Sequence, residues 1–167
     1  RQFAGMDAVI NLVGILHESR KNSFDHAHVQ LTQKILDACR AVGVKRVLHM
    51  SALAATSDAP SVYLRSKAEA EQRVLAFQTA ENGETTIFRP SVIFGRGDSF
   101  INLFAQLIRS LPIVVLACPN ARFQPIHVED VARAFVDSLD QSHTFGQAYD
   151  LCGPKVYTLR ELITLIA

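Results

Sequence analysis

The chain has no cysteines at metal or redox spacing, no run of like charge and no apolar stretch long enough to cross a membrane. Cys39, Cys118 and Cys152 are an odd set without CxxC spacing, which reads as reduced thiols of a cytoplasmic protein and implies no metal site. Seventeen Lys and Arg against sixteen Asp and Glu leave a formal charge of +1, and the basic residues are scattered. That excludes the footprint of a nucleic-acid binder. The longest notable apolar run, Leu111 to Cys118, contains a proline and falls far short of the ~20 residues a bilayer requires. Peripheral membrane contact would have to come through a partner. Repeats, low-complexity linkers and an assignable targeting segment are also missing.

What is present is alternation. Residues 7 to 13 read as an apolar strand, Phe24 to Val42 as a helix burying Val29, Leu31, Ile35, Leu36 and Cys39, 45 to 50 as a strand, 63 to 80 as a helix and 85 to 89 as a strand. Strands alternating with long helical patterns indicate βαβ units and a parallel sheet. Beyond Gly97 the spacing predicts a helix over Ser99 to Ser110, a strand around Phe123 to Val128, a helix over Glu129 to Asp140 and a short strand over 147 to 151. With 167 residues, 49% of them hydrophobic, the chain can bury one sizeable core and reads as a single α/β domain, 1–167.

Tyr63 and Lys67 carry the chemistry. On a helix a four-residue step turns about 40° past a full turn and climbs about 6 Å, so the two side chains share a face. A fixed ammonium favours phenolate and brings a tyrosine, normally titrating near ~10, towards acid and base work at neutral pH. Ser51 closes the apolar strand Val47-Leu48-His49-Met50, and ligands of open α/β sheets bind outside such carboxyl ends. A phenol, an ammonium and a hydroxyl in this arrangement suit proton transfer to or from a carbonyl oxygen. His26 and His28, two apart on a helix, point in different directions and make a poor metal pair.

Ser51, Tyr63-Leu-Arg-Ser-Lys67, Arg89-Pro90-Ser91-Val92-Ile93-Phe94-Gly95 and Gln124-Pro-Ile-His127-Val-Glu-Asp130-Val-Ala132 stand in register with one family. The chain resembles the extended or atypical short-chain dehydrogenase/reductases, that is, the NAD-dependent epimerase/dehydratase family. Within it, the wording is similar to the NAD(P)H-binding accessory subunit of respiratory complex I and its bacterial relatives. The resemblance implies a partial Rossmann-like, doubly wound parallel sheet with a small C-terminal substrate-side portion. It implies NAD or NADP as cofactor, lined by Asn11, Val13, Gly14, Met50, Tyr63, Lys67, Arg89, Pro90, Ser91 and Ile93, with Ser51, Tyr63 and Lys67 as the catalytic set. Gly14 equally reads as a plain strand-ending glycine, and Pro90 as a strand terminator. His127 is implied to be structural, beside a helix start at Asp130.

The family opens on a strand, a Gly-x-x-Gly-x-x-Gly turn and a helix that receives the pyrophosphate, and this chain contains no such turn. Arg1 to Asp7 reads instead as the run-in to the fourth strand. Thr158-Leu-Arg-Glu161 reads as a capping box whose helix is cut short, so the chain is expected to be an internal fragment with weak cofactor binding by itself. Three functions stay open: an NAD(P)-dependent oxidoreductase or epimerase acting on an unknown small molecule, a non-catalytic NAD(P)H-holding subunit or assembly factor among complex I subunits, and a piece of a fold that binds nothing alone. Residues 52 to 57 lack the acidic pair of the family's sugar dehydratases, which disfavours dehydration.

Overall fold

The computed structural model describes residues 3–110 and 115–166. In chain order it contains β1 (Ala8–Asn11), α1 (Leu31–Val42) led in by a π-helical turn over Asp25–Gln30, β2 (Arg46–Met50), α2 (Val62–Glu81), β3 (Glu84–Pro90), β4 (Ile93–Phe94) and α3 (Ile101–Ser110). There follow β5 (Arg122–Phe123), β6 (Ile126–His127), α4 (Val128–Asp137), β7 (Gln147–Leu151), β8 (Tyr157–Thr158) and α5 (Leu159–Ile166). Residues 1, 2 and 111 to 114, which hold parts of the expected run-in and apolar run, lie outside the described residues. Two compact units emerge, Arg1–Arg89 with Phe135–Asp150, and Pro90–Ala134 with Leu151–Ala167.

The first unit is built on a sheet of order β1-β2-β3-β7, in which β1, β2 and β3 run parallel. It is an α/β arrangement of the Rossmann kind. Because successive side chains alternate across a strand, Val9, Val47 and Ile87 project to one face, where they bury against Leu36, Cys39, Val74 and Phe77 of α1 and α2. Two residues further along the same face the chemistry changes: Val9 gives way to Asn11, Val47 to His49 and then Ser51, and Ile87 to Arg89. Helix α2 makes the matching transition, burying Val74 and Phe77 in its second half and Ser66, Lys67 and Glu71 in its first. One continuous interface is therefore oily at one end and polar at the carboxyl end of the strands. On the opposite face Phe88 meets Phe135 and Tyr149 at ring distances of 4.5 and 5.9 Å. There the buried Arg46 guanidinium donates to Leu139 O, Glu84 O, Thr86 Oγ1 and Ser138 O.

The second unit contains a parallel β4–β6 pair and an antiparallel β5–β8 pair. The expected strand from Phe123 to Val128 is thus two short ones that pair with different partners. Gly153 presses on the break between them: a Cβ there would clash with Pro125 O, and Gln124 Nε2 donates to Gly153 O at 2.6 Å. Helix α3 begins at Ile101 rather than Ser99 because Asp98 Oδ1 accepts from the Phe100 and Ile101 amides, at 2.8 and 2.5 Å. The capping box at α5 forms as expected, with Thr158 N donating to Glu161 Oε2 at 2.7 Å and Glu161 N to Thr158 Oγ1 at 3.2 Å.

Candidate functional site

Ser51 follows β2 directly and is tied to the neighbouring strand by its amide, which donates to Phe88 O at 2.7 Å. The residue is 3% exposed, and its Oγ has no hydrogen-bond partner among the described residues. A buried hydroxyl left this way costs about 1–3 kcal/mol, so the position is expensive unless a ligand oxygen uses it. The loop that follows turns through Ala54 at φ 62°, a left-handed conformation uncommon for a residue with a Cβ.

Lys67 lies one helical turn after Tyr63 on α2. Its side chain is 4% exposed and its Nζ donates to Met50 O at 3.2 Å, so the predicted cofactor residue Met50 serves Lys67 through its carbonyl. Burial lowers the ammonium from its ordinary value to about 8, against the attraction of Glu71. Glu71 is itself buried and held by Arg89, whose Nε and Nη2 reach its two carboxylate oxygens at 2.9 and 2.5 Å. Arg89, expected along the cofactor, is thus the counter-ion paired with Glu71 next to Lys67.

The Tyr63 ring packs edge-on against His28 at 5.5 Å and Phe24 at 5.7 Å. Burial pushes its phenol above the ordinary value, with no opposing contribution from Lys67. This corrects the expectation of a lysine-acidified phenol: the ammonium is drawn to Met50 O, and desolvation governs Tyr63. A neutral phenol remains a proton donor.

Gly14 closes over this site. A Cβ on it would come within 2.9 Å of Lys67 Nζ and 3.5 Å of His28 Nε2, so a larger residue there would have to displace the lysine tip. Asn11 shapes the same turn, its Nδ2 donating to Thr32 Oγ1 at 3.1 Å and lying 3.2 Å from His49 Nδ1, while its Oδ1 accepts from Val13 N at 3.2 Å. Val13 itself is exposed. Pro90, Ser91 and Ile93 fall in the second unit, where Ser91 N donates to Leu151 O and Ile93 pairs with Ile126.

Glu71 is a site residue that the sequence pattern did not mark, and His28 one that it weighed only as a metal ligand. His26 is exposed against Gln30 while His28 is buried, so the two do not converge. Among the described residues no group of three or more His, Cys, Asp or Glu side chains could hold a metal ion. His127, half-exposed and edge-on to Phe94, lines a recess of about 330 Å³ in the second unit together with Ile101, Asp130, Tyr157 and Leu165. No helix among the described residues is long and apolar enough to cross a membrane.

A model of the NAD dependent epimerase/dehydratase family matches residues 1–152. The chain is 32% identical over 166 residues to NADH dehydrogenase (ubiquinone) 1 alpha subcomplex subunit 9, mitochondrial, of Dictyostelium discoideum, covering 99% of this chain and 45% of that protein. It is 35% identical over 168 residues to the protein of the same name from Arabidopsis thaliana, covering 98% of this chain and 40% of that one. The chain therefore spans less than half the length of these relatives. Among solved structures it superposes on a dTDP-glucose 4,6-dehydratase from Streptomyces venezuelae, crystallised with NAD, with a TM-score of 0.85 at 22% identity, covering 99% of this chain and 57% of that one. At that identity the likeness concerns the fold.

Proposed function

Because the chain belongs to the NAD dependent epimerase/dehydratase family, we propose that it forms the proton-transfer side of an NAD(P)-binding oxidoreductase or epimerase. The single observation that carries this is the buried, unpartnered Ser51 Oγ beside the carbonyl that holds Lys67. The residues present fit a nicotinamide dinucleotide: Gly14 leaves room where a Cβ would press on Lys67, and Asn11 and Val13 hold that turn in shape. Lys67 would hold ribose hydroxyls, with Met50 and Arg89 as further lining. When bound, the nicotinamide supplies or accepts a hydride.

Tyr63 donates the proton to a substrate carbonyl oxygen, or takes it from an alcohol in reverse, and Ser51 Oγ–H holds that oxygen. Burial keeps the phenol protonated and ready to give. Lys67, mostly charged near neutrality, stays bonded to Met50 O at the same strand end. In the full-length protein Tyr63→Phe removes only the hydroxyl. Carbonyl reduction is expected to fall roughly 10²-fold or more, with NAD(P)H affinity held within about twofold. Equal turnover in both forms would overturn the assignment of the donor.

A second reading is favoured by the subunit relatives, which match this chain almost end to end. In it the site holds NAD(P)H without turnover, within respiratory complex I, and the protein is peripheral to the membrane through its partner subunits. Cofactor binding without reduction of any carbonyl by the wild-type protein supports that reading.

A further inference from the structure

His28 is 1% exposed, and both of its ring nitrogens are engaged. The Ile15 amide donates to Nε2 at 3.0 Å, so Nε2 carries a lone pair. Ser66 Oγ lies 2.8 Å from Nδ1 and spends its own proton on Tyr63 O, also at 2.8 Å. It must therefore accept from Nδ1–H. Two independent bonds select the same neutral tautomer. Burial and the charge of Lys67 agree, lowering the ring to about 4.

We infer that His28 is a positioning residue whose ring ties the Gly14–Ile15 turn, closing on Lys67, to the first turn of α2, which carries Tyr63. This rests on the function proposed above. One nitrogen holds the segment that faces the cofactor; the other holds the backbone of the proton donor, whose ring also packs against the imidazole. The π-helical turn over Asp25–Gln30 is the segment that presents His28, and such turns widen a helix locally and occur often at functional sites.

The two bonds can be separated. Asn places an amide where Nδ1 lies and Gln places one where Nε2 lies, so His28→Asn keeps the Ser66 bond and His28→Gln keeps the Ile15 bond. In the full-length protein His28→Asn is expected to weaken NADH binding about tenfold, equivalent to about 1.4 kcal/mol, and to speed hydrogen exchange at the Ile15 amide. His28→Gln is expected to keep NADH affinity and Ile15 protection but to lower turnover. Nitrogen-15 spectra of the wild-type ring should show the proton on Nδ1. Equal effects of the two variants, or a proton on Nε2, would overturn the inference. Should the wild type neither bind NADH nor reduce a carbonyl, the proposed function fails, whereas Ile15 exchange in the two variants still decides the role of His28.

Discussion

Adding one carbon to Gly14 places it 2.9 Å from an ammonium that is already 4% exposed and bonded to Met50 O. The lysine tip can swing, but only by leaving that carbonyl, and a buried ammonium without an acceptor is costly. Gly14→Ala is expected to destabilise the full-length protein by about 1–2 kcal/mol. In a Lys67→Ala background most of that cost should vanish, giving a coupling of about 1 kcal/mol in a double-mutant cycle of denaturation midpoints. Additive losses would mean that Gly14 and Lys67 do not constrain each other. Which of the site's residues could be read in advance follows from the range of their contacts. Tyr63 and Lys67 are readable because four-residue helical spacing is local, and Ser51 because a strand end is local. His28 and Glu71 are not, since their partners Ser66 and Arg89 are 38 and 18 residues away. The direction in which Tyr63 shifts was equally hidden, because spacing shows the neighbouring lysine but not the solvent exclusion that outweighs it.

Helix α2 sets the geometry of the site, and Ser61 sets where α2 begins. Ser61 keeps extended backbone at φ −95° and ψ 142° while its Oγ accepts from the Leu64 amide at 3.1 Å. Ser61→Ala should cost about 1 kcal/mol and lower the melting temperature, while Ser61→Asp should restore it. If the alanine variant melts unchanged, the first turn is held by packing alone. The short apolar runs of β1, β2 and β3 and the helical stretch of α2 were legible because each is a local pattern within its own segment. The π-helical turn was not, since nothing in residues 25 to 30 distinguishes it from ordinary helix before His28 is bonded at both nitrogens. The division of residues 123 to 128 was hidden for a similar reason: Gly153, nearly thirty positions later, presses the backbone at Pro125.

For the molecule as a whole, the polar end of the buried interface ties stability to pH. His28 and His49 are lowered from 6.5 to about 4 and about 3, chiefly by burial, and Lys67 from 10.5 to about 8. Above pH 6.5 both imidazoles are neutral folded and unfolded, so they add no pH dependence. Below it the unfolded chain takes up protons that the folded chain refuses, and stability falls by about 1.4 kcal/mol per pH unit for each ring until its folded value is reached. Lys67 acts at the other limb. It is charged in both states below about 8, and from there towards 10.5 the folded state gives up its proton first, so stability rises until the raised Tyr63 opposes it near ~10. Denaturation midpoints of the full-length protein should thus drop on acidification from pH 6.5 towards 4 and climb between 8 and 10. His28→Gln should remove about 1.4 kcal/mol per pH unit of the acid slope, and Lys67→Met should flatten the alkaline rise. An acid limb unchanged in His28→Gln would show that this ring titrates alike in both states, and so is not held neutral inside the fold.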